Sequence, residues 1–137
     1  MVLGAIVIWH GRAFDAGIEP MPLFLASLIA CASPVAIDGD TLRCASGEHV
    51  RLLSIDAPEM PGHCRRGRRC TPGDPFASQR SLARLIERGR VTCSPAGRDA
   101  YGRVLARCQA GGVDLSCAQV AGGFAVVRYG SLSCRRR

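Results

Sequence analysis

VAIDGDTLRCASGEHVRLLSI, residues 35–55, decides the fold class. Val35-Ala36-Ile37 and Thr41-Leu42-Arg43-Cys44 are short extended runs flanking Asp38-Gly39-Asp40, and such runs around an Asp-Gly dipeptide signal a β-hairpin. Ser46-Gly47-Glu48 makes a second turn into a third strand over 49–55, so the stretch reads as a three-strand meander. Pro58 and Pro61 then break the strand into a loop running to about residue 73.

Downstream, Asp74 is a good helix N-cap with Pro75 at the first helical position. Leu82, Leu85 and Ile86 follow at helical spacing, Arg80, Arg84 and Arg88 fall on another face, and Gly89 is placed to stop the helix. Residues 90–93 and 103–108 read as two further strands joined by a polar loop. Asp114 caps a short helix over 115–120 that ends at Gly122-Gly123, and residues 124–127 form a last extended piece. The order is three strands, helix, two strands, helix. It predicts a mainly β (α+β) domain whose five short strands suit a small closed barrel better than a parallel sheet.

The composition agrees with one domain. The chain has 137 residues, 47% hydrophobic and 21% charged, which excludes wholesale disorder, and its apolar runs are too short or interrupted for a membrane-spanning helix. All 18 basic residues are Arg against 11 acidic ones, a net +7 that suggests a polyanionic partner. Residues 1–30 differ from the rest: they are apolar, and MPLFLASLIACA from Met21 has the length and small-residue ending of a signal-peptide core. Residues 1–30 are therefore read as a leader, or an over-extended start before Met21, and 31–137 as the domain. An uncleaved apolar strand or helix is the alternative, and LIAC ending at Cys31 also looks like a lipoprotein cleavage box. The leader carries one Arg and two acids, so the basic excess belongs to the domain.

Three segments carry the chemistry: DGDT (38–41), RLLSIDAPE (51–59) and DAYGR (99–103). Each alone is a turn or a solvated charge. Together, in order and at compatible spacing over about residues 31–130, they resemble the staphylococcal (micrococcal) nuclease family, in its cysteine-rich secreted bacterial branch. The resemblance implies an OB-fold barrel and Ca²⁺-dependent hydrolysis of phosphodiester bonds in DNA and RNA with little sequence preference, leaving 3′-phosphate ends. It implies Asp40 and Asp56 as carboxylate metal ligands, with the backbone carbonyl of Ala57 completing the set. Glu59 matches the residue that activates the attacking water, and Arg51 and Arg103 match the pair that bind the scissile phosphate. Tyr101 and Tyr129 match positions that contact the nucleotide. The chemistry needs such a set: a phosphodiester is anionic, so a hard cation and two guanidinium forks must neutralise it before a carboxylate-activated water attacks.

The family's flexible loop after the IDAPE segment is replaced here by CRRGRRC (64–70), whose basic cluster of Arg65, Arg66, Arg68 and Arg69 is expected to contact nucleic acid through phosphates, with Arg65 and Arg66 singled out as substrate-binding. The chain also stops before the relatives' C-terminal helix. Eight Cys suggest an oxidising compartment, hence a secreted or periplasmic monomer, and they admit many pairings. Pairing neighbours along the chain gives Cys31–Cys44, Cys64–Cys70, Cys93–Cys108 and Cys117–Cys134. A zinc site on His63, Cys64 and Cys70 is the competing use. Two functional alternatives stand beside the nuclease. One is a non-catalytic OB-fold nucleic-acid-binding module. The other is a disulfide-stapled interaction protein whose carboxylates only form turns, which would scatter the five charged groups over the surface.

Overall fold

The meander over 35–55 is present but cut into shorter pieces. In the computed structural model, which describes residues 27–135, its strands are β2 (Val35–Ala36), β3 (Thr41–Arg43) and β4 (His49–Leu52). Val35 faces Arg43 and Leu42 faces Val50 in antiparallel register. The expected third strand does not run straight to residue 55. Ser54 takes φ 64°, a left-handed conformation unusual for a residue with a Cβ, and Ile55–Asp56 starts a separate strand, β5. The Arg51 side chain spans the kink, its Nη1 donating to the carbonyls of Leu52 and Ile55 at 3.0 and 2.9 Å.

The Asp-Gly dipeptide closes the first hairpin for a reason other than φ. A Cβ on Gly39 would lie 1.7 Å from Ser78 Oγ and 2.8 Å from Ala57 Cβ, so glycine is required for close approach. Ser78 belongs to helix α1 (Pro75–Ile86), which begins as read: the Asp74 carboxylate accepts from the backbone N–H groups of Phe76 and Ala77. Leu82 and Ile86 face the core, while Arg80, Arg84 and Arg88 are exposed. The helix ends at Ile86 with Glu87 as its cap, three residues before Gly89. Gly89 instead permits contact with Gly111, whose backbone nitrogen would be 3.0 Å from an added Cβ.

The two later strands are longer than expected, as β6 (Val91–Arg98) and β7 (Val104–Ala110). Much of the stretch read as a polar loop is strand, with a register shift between Pro95 and Gly97 that absorbs the missing proline donor. Two short pieces flank them. β1 (Ile29–Ala30) pairs with β6, and β8 (Val113–Asp114) folds back on β7. Ile29 and Ala30 fall in the segment read as leader, so the sheet starts inside it; residues 1–26 of that segment lie outside the described residues. Asp114 caps helix α2 (Leu115–Ala121), accepting from the Cys117 N–H at 2.8 Å.

The main sheet has the order β1-β6-β7-β4-β3-β2, antiparallel except where β4 meets β7 in parallel. β5 pairs with β9 (Val126–Val127) in a second, two-stranded ladder. The curled half-barrel and two helices make an OB-like α+β fold, with more strands than the five expected. Its core holds Leu42, Val50, Leu52, Ile55, Leu82, Val91 and Leu115. Buried Gln119 on α2 ties the helices to the first hairpin, donating to the carbonyls of Gly39 and Ser78 at 2.7 and 3.0 Å. No helix among the described residues is long and apolar enough to cross a membrane.

Four disulfides join Cys31–Cys44, Cys64–Cys70, Cys93–Cys108 and Cys117–Cys134, the neighbour pairing expected, and leave no free cysteine among the described residues. Cys64 and Cys70 are thereby bonded to each other rather than offered with His63 to zinc. Cys93 and Cys108 are cross-strand partners inside the core. Cys117–Cys134 holds the tail on α2, where Arg107 also binds Asp114 and the Ser133 carbonyl. Four bridges in one small domain fit an oxidising compartment.

Candidate active site

The kink at Ser54 positions the acidic residues. It carries the chain from β4 into β5, so that Asp56 lies beside the Asp40 end of the first hairpin. Asp40 is held from several sides: Ala57 N donates to its Oδ2 at 2.8 Å, Thr41 Oγ1 to its Oδ1 at 3.0 Å, and Arg51 Nη2 lies 3.3 Å from Oδ2. Burial pushes its carboxyl up to about 7; Arg51 and the Ala57 N–H pull it down, and Asp38 adds to the rise.

Asp56 is fully buried, and four donors share its two oxygens. Arg51 Nη2 and Arg68 Nη2 reach Oδ1 at 3.1 and 3.2 Å, while Thr71 Oγ1 and Arg128 Nη1 reach Oδ2 at 2.6 and 3.2 Å. Glu59 is more open and pairs with Arg68 Nη1 at 3.3 Å. Arg103 is set by its own turn. Asp99 Oδ1 accepts from the backbone N–H groups of Tyr101 and Arg103, and its Oδ2 accepts from Arg103 Nε at 2.7 Å. Burial alone would raise the Asp99 carboxyl; the bonds from Arg103 and Tyr101 outweigh it and hold the pKa below the usual value.

A groove of about 640 Å³ collects most of these groups. Asp40, Arg51, Glu59 and Arg103 all line it, together with Tyr101, Tyr129 and Arg65. His49 and His63 lie on its wall as well. Asp56 and Ala57 are not on its surface but behind it, reached through Arg51. The charged groups are therefore not scattered, as the interaction-protein alternative requires.

The arginine loop differs from expectation in one position. A turn bond from Arg68 N to Arg65 O, with Gly67 at φ 77°, brings Arg65 and Arg68 to the groove and leaves Arg66 exposed outside its lining. Arg65 lies over the Tyr101 ring at 4.6 Å, and Arg103 lies 5.5 Å from the same ring. Sequence reasoning placed Arg68 only in the basic cluster expected to contact nucleic acid, and gave no role to Thr71, Arg128 or Asp99. Asp99 could have been found from its place in DAYGR, two residues before Tyr101 and four before Arg103, the spacing of an Asx-type turn. Nothing local marks Thr71 or Arg128, or the pairing of Arg68, because their shared partner Asp56 is distant in the chain.

The carboxylates suit a hard divalent cation. Asp40 Oδ2 and Asp56 Oδ1 converge on the same cationic atom, Arg51 Nη2, at 3.3 and 3.1 Å. Carboxylate oxygens aimed at one positive centre are a donor set that Ca²⁺ accepts. No three His, Cys, Asp or Glu side chains group as a metal site among the described residues, so a cation held by Asp40 and Asp56 would need further ligands such as backbone carbonyl and water.

The family model described as "Staphylococcal nuclease homologue" matches residues 49–136. The chain is also 37% identical over 131 residues to the succinoglycan biosynthesis protein ExoI of Rhizobium meliloti (strain 1021). That alignment covers 93% of this chain but 61% of the relative, so the chain spans about three-fifths of the relative's length.

Proposed function

The chain belongs to the staphylococcal nuclease homologue family, and from that premise we propose that it is a Ca²⁺-dependent nuclease that hydrolyses DNA and RNA with little sequence preference. The observation that carries this reading is the convergence of Asp40, Arg51, Glu59 and Arg103 on one groove. Asp40, Asp56 and the Ala57 carbonyl are the residues to hold the cation, which supplies Lewis-acid neutralisation of the phosphodiester. Arg51 and Arg103 hold phosphate oxygens in planar forks and stabilise the charge that develops in the transition state. Glu59 takes the proton of the attacking water. Tyr101 and Tyr129 offer exposed rings to the nucleotide, which favours unpaired strands because these can present a base face. Phosphate contacts carry no sequence information, hence the low specificity. Cleavage leaves 3′-phosphate ends, and the disulfides suit a monomer exported to the periplasm or beyond.

The test is a nuclease assay of the oxidised full chain on plasmid DNA and single-stranded RNA, with Ca²⁺ or with excess chelator. Cleavage only in Ca²⁺ is expected, giving ends that a polymerase extends only after phosphatase treatment. Folded protein that binds DNA in a salt-dependent way but does not cut it in Ca²⁺ would sink the enzyme reading in favour of the non-catalytic binding module. A second reading, a part in succinoglycan biosynthesis, follows from the relative's name; it gains if neither nucleic acid is cut or bound.

Asp99 gives a subtler check. Asp99→Asn keeps an acceptor for the turn but removes the charge that aims Arg103, and a misplaced catalytic group costs up to about 10²-fold in rate. We expect kcat to fall roughly ten- to a hundredfold. The partly exposed pair itself contributes about 1 kcal/mol or less to stability. Because the Asp99 pKa is depressed on folding, its contribution is fully present above the ordinary value of 3.8 and is lost as pH falls through the lower folded value. Unfolding of Asp99→Asn should accordingly depend less on acid below about pH 4. Wild-type kcat in a folded Asp99→Asn would remove Asp99 from the site.

A further inference from the structure

Of the three guanidinium groups paired with Asp40, Asp56 and Glu59, that of Arg68 is the most exposed. It comes from the exposed Cys64–Cys70 loop, its side chain is 36% exposed, and its guanidinium meets side chains: Asp56, Glu59 and the Tyr129 hydroxyl at 3.1 Å. Arg51, by contrast, is buried and also bonds two carbonyls, and Arg128 is fixed to the Arg69 carbonyl at 2.8 Å. Ion pairs of 3.1–3.3 Å join three carboxylates (Asp40, Asp56, Glu59) to three guanidinium groups (Arg51, Arg68, Arg128). This cluster is formally neutral. A divalent cation entering it leaves an excess of two positive charges unless a guanidinium departs or an anion arrives.

We propose that Arg68 is both an internal counter-cation and a third phosphate-binding arginine, resting on Asp56 and Glu59 in the free protein and passing to a substrate phosphate when a divalent cation takes the carboxylates. The loop suits the transfer. Arg68 lines the groove with Arg51 and Arg103, and the disulfide keeps its tether short. The inference rests on the Ca²⁺-dependent nuclease reading and adds a consequence to it: cation and phosphate bind with positive coupling, because each relieves the charge imbalance left by the other.

The test is calorimetric titration of Ca²⁺ into the oxidised full chain, with and without adenosine 3′,5′-bisphosphate, so the readout is affinity rather than turnover. Wild-type protein should bind Ca²⁺ at least about fivefold more tightly when the bisphosphate is present. Arg68→Gln should bind Ca²⁺ alone several-fold more tightly than wild type and lose most of the coupling. Arg84→Gln, which removes the same charge from the exposed face of α1, should change neither. Cys64→Ser with Cys70→Ser, which unclips the loop, should shift both quantities in the direction of Arg68→Gln, and it carries the test alone if Arg68→Gln fails to fold. Wild-type affinity and coupling in Arg68→Gln would overturn the proposal while leaving the nuclease reading standing, as would an equal shift in Arg84→Gln. No Ca²⁺ binding by folded wild-type protein, even with the bisphosphate, would overturn both.

Discussion

Glu59→Gln should lower kcat by about 10²–10⁴-fold while leaving the melting temperature almost unchanged. That range is what a positioned general base typically contributes. The stability expectation follows from the surroundings: the Glu59 side chain is 21% exposed and pairs with Arg68, itself 36% exposed. A pair so open to solvent contributes between nothing and about 1 kcal/mol. Gln has the same shape and can still accept from Arg68, so neither the groove nor the loop above it should collapse. Initial rates on single-stranded DNA in saturating Ca²⁺, with a thermal melt of the same sample, check both halves. Wild-type turnover in Glu59→Gln would strip Glu59 of the base role. A large loss of melting temperature would instead make it a structural residue. Glu59→Asp should also be slow, since shortening the side chain moves the carboxylate away from the water it must face.

The residues that were legible before the structure are those whose signal is local. Asp74-Pro75 announces the start of α1 because an N-cap and an N1 proline act within one turn. Asp114 does the same for α2. The disulfides followed chain order because antiparallel pairing brings successive segments side by side, as at Cys93 and Cys108, although Cys117 is nearer to Cys108 in sequence. The break at Ser54 was not legible, since nothing in Leu52-Leu53-Ser54-Ile55 requires a positive φ. What imposes it is the Arg51 side chain closing on two carbonyls and the pairing of Ile55 with Val127, more than seventy residues away in the chain. The same limit hid Arg128, and hid the meeting of Arg68, read only as part of a basic cluster, with Asp56. It also concealed why the turn residue at 39 is glycine, since its neighbour Ser78 on α1 is what excludes a side chain. Motifs identify groups that react together, but the long-range contacts that hold those groups in register lie outside them.

Arg51→Ala should be the most destabilising change in the site, costing about 3–5 kcal/mol, the usual consequence of removing one partner from a buried ion pair. Arg51 is 8% exposed and links four acceptors: Asp40, Asp56 and the carbonyls of Leu52 and Ile55. Asp56 would keep Arg68, Arg128 and Thr71, so the greater part of the cost should fall on Asp40 and on the kink, which loses its brace. Arg51→Lys separates charge from geometry. A single ammonium restores the charge but cannot serve both the carbonyls and the carboxylates from a planar fork. Its stability should therefore lie between those of wild type and Arg51→Ala, while its turnover stays low, because the phosphate loses its two-point contact. Denaturant midpoints at constant pH, with kcat measured well below each midpoint, resolve the two effects. If Arg51→Lys regained both stability and turnover, the charge alone would matter and the fork would have no role. If it regained stability but not turnover, the residue that braces the kink would also be the one that grips the phosphate. Arg51 would then join folding to catalysis in one side chain.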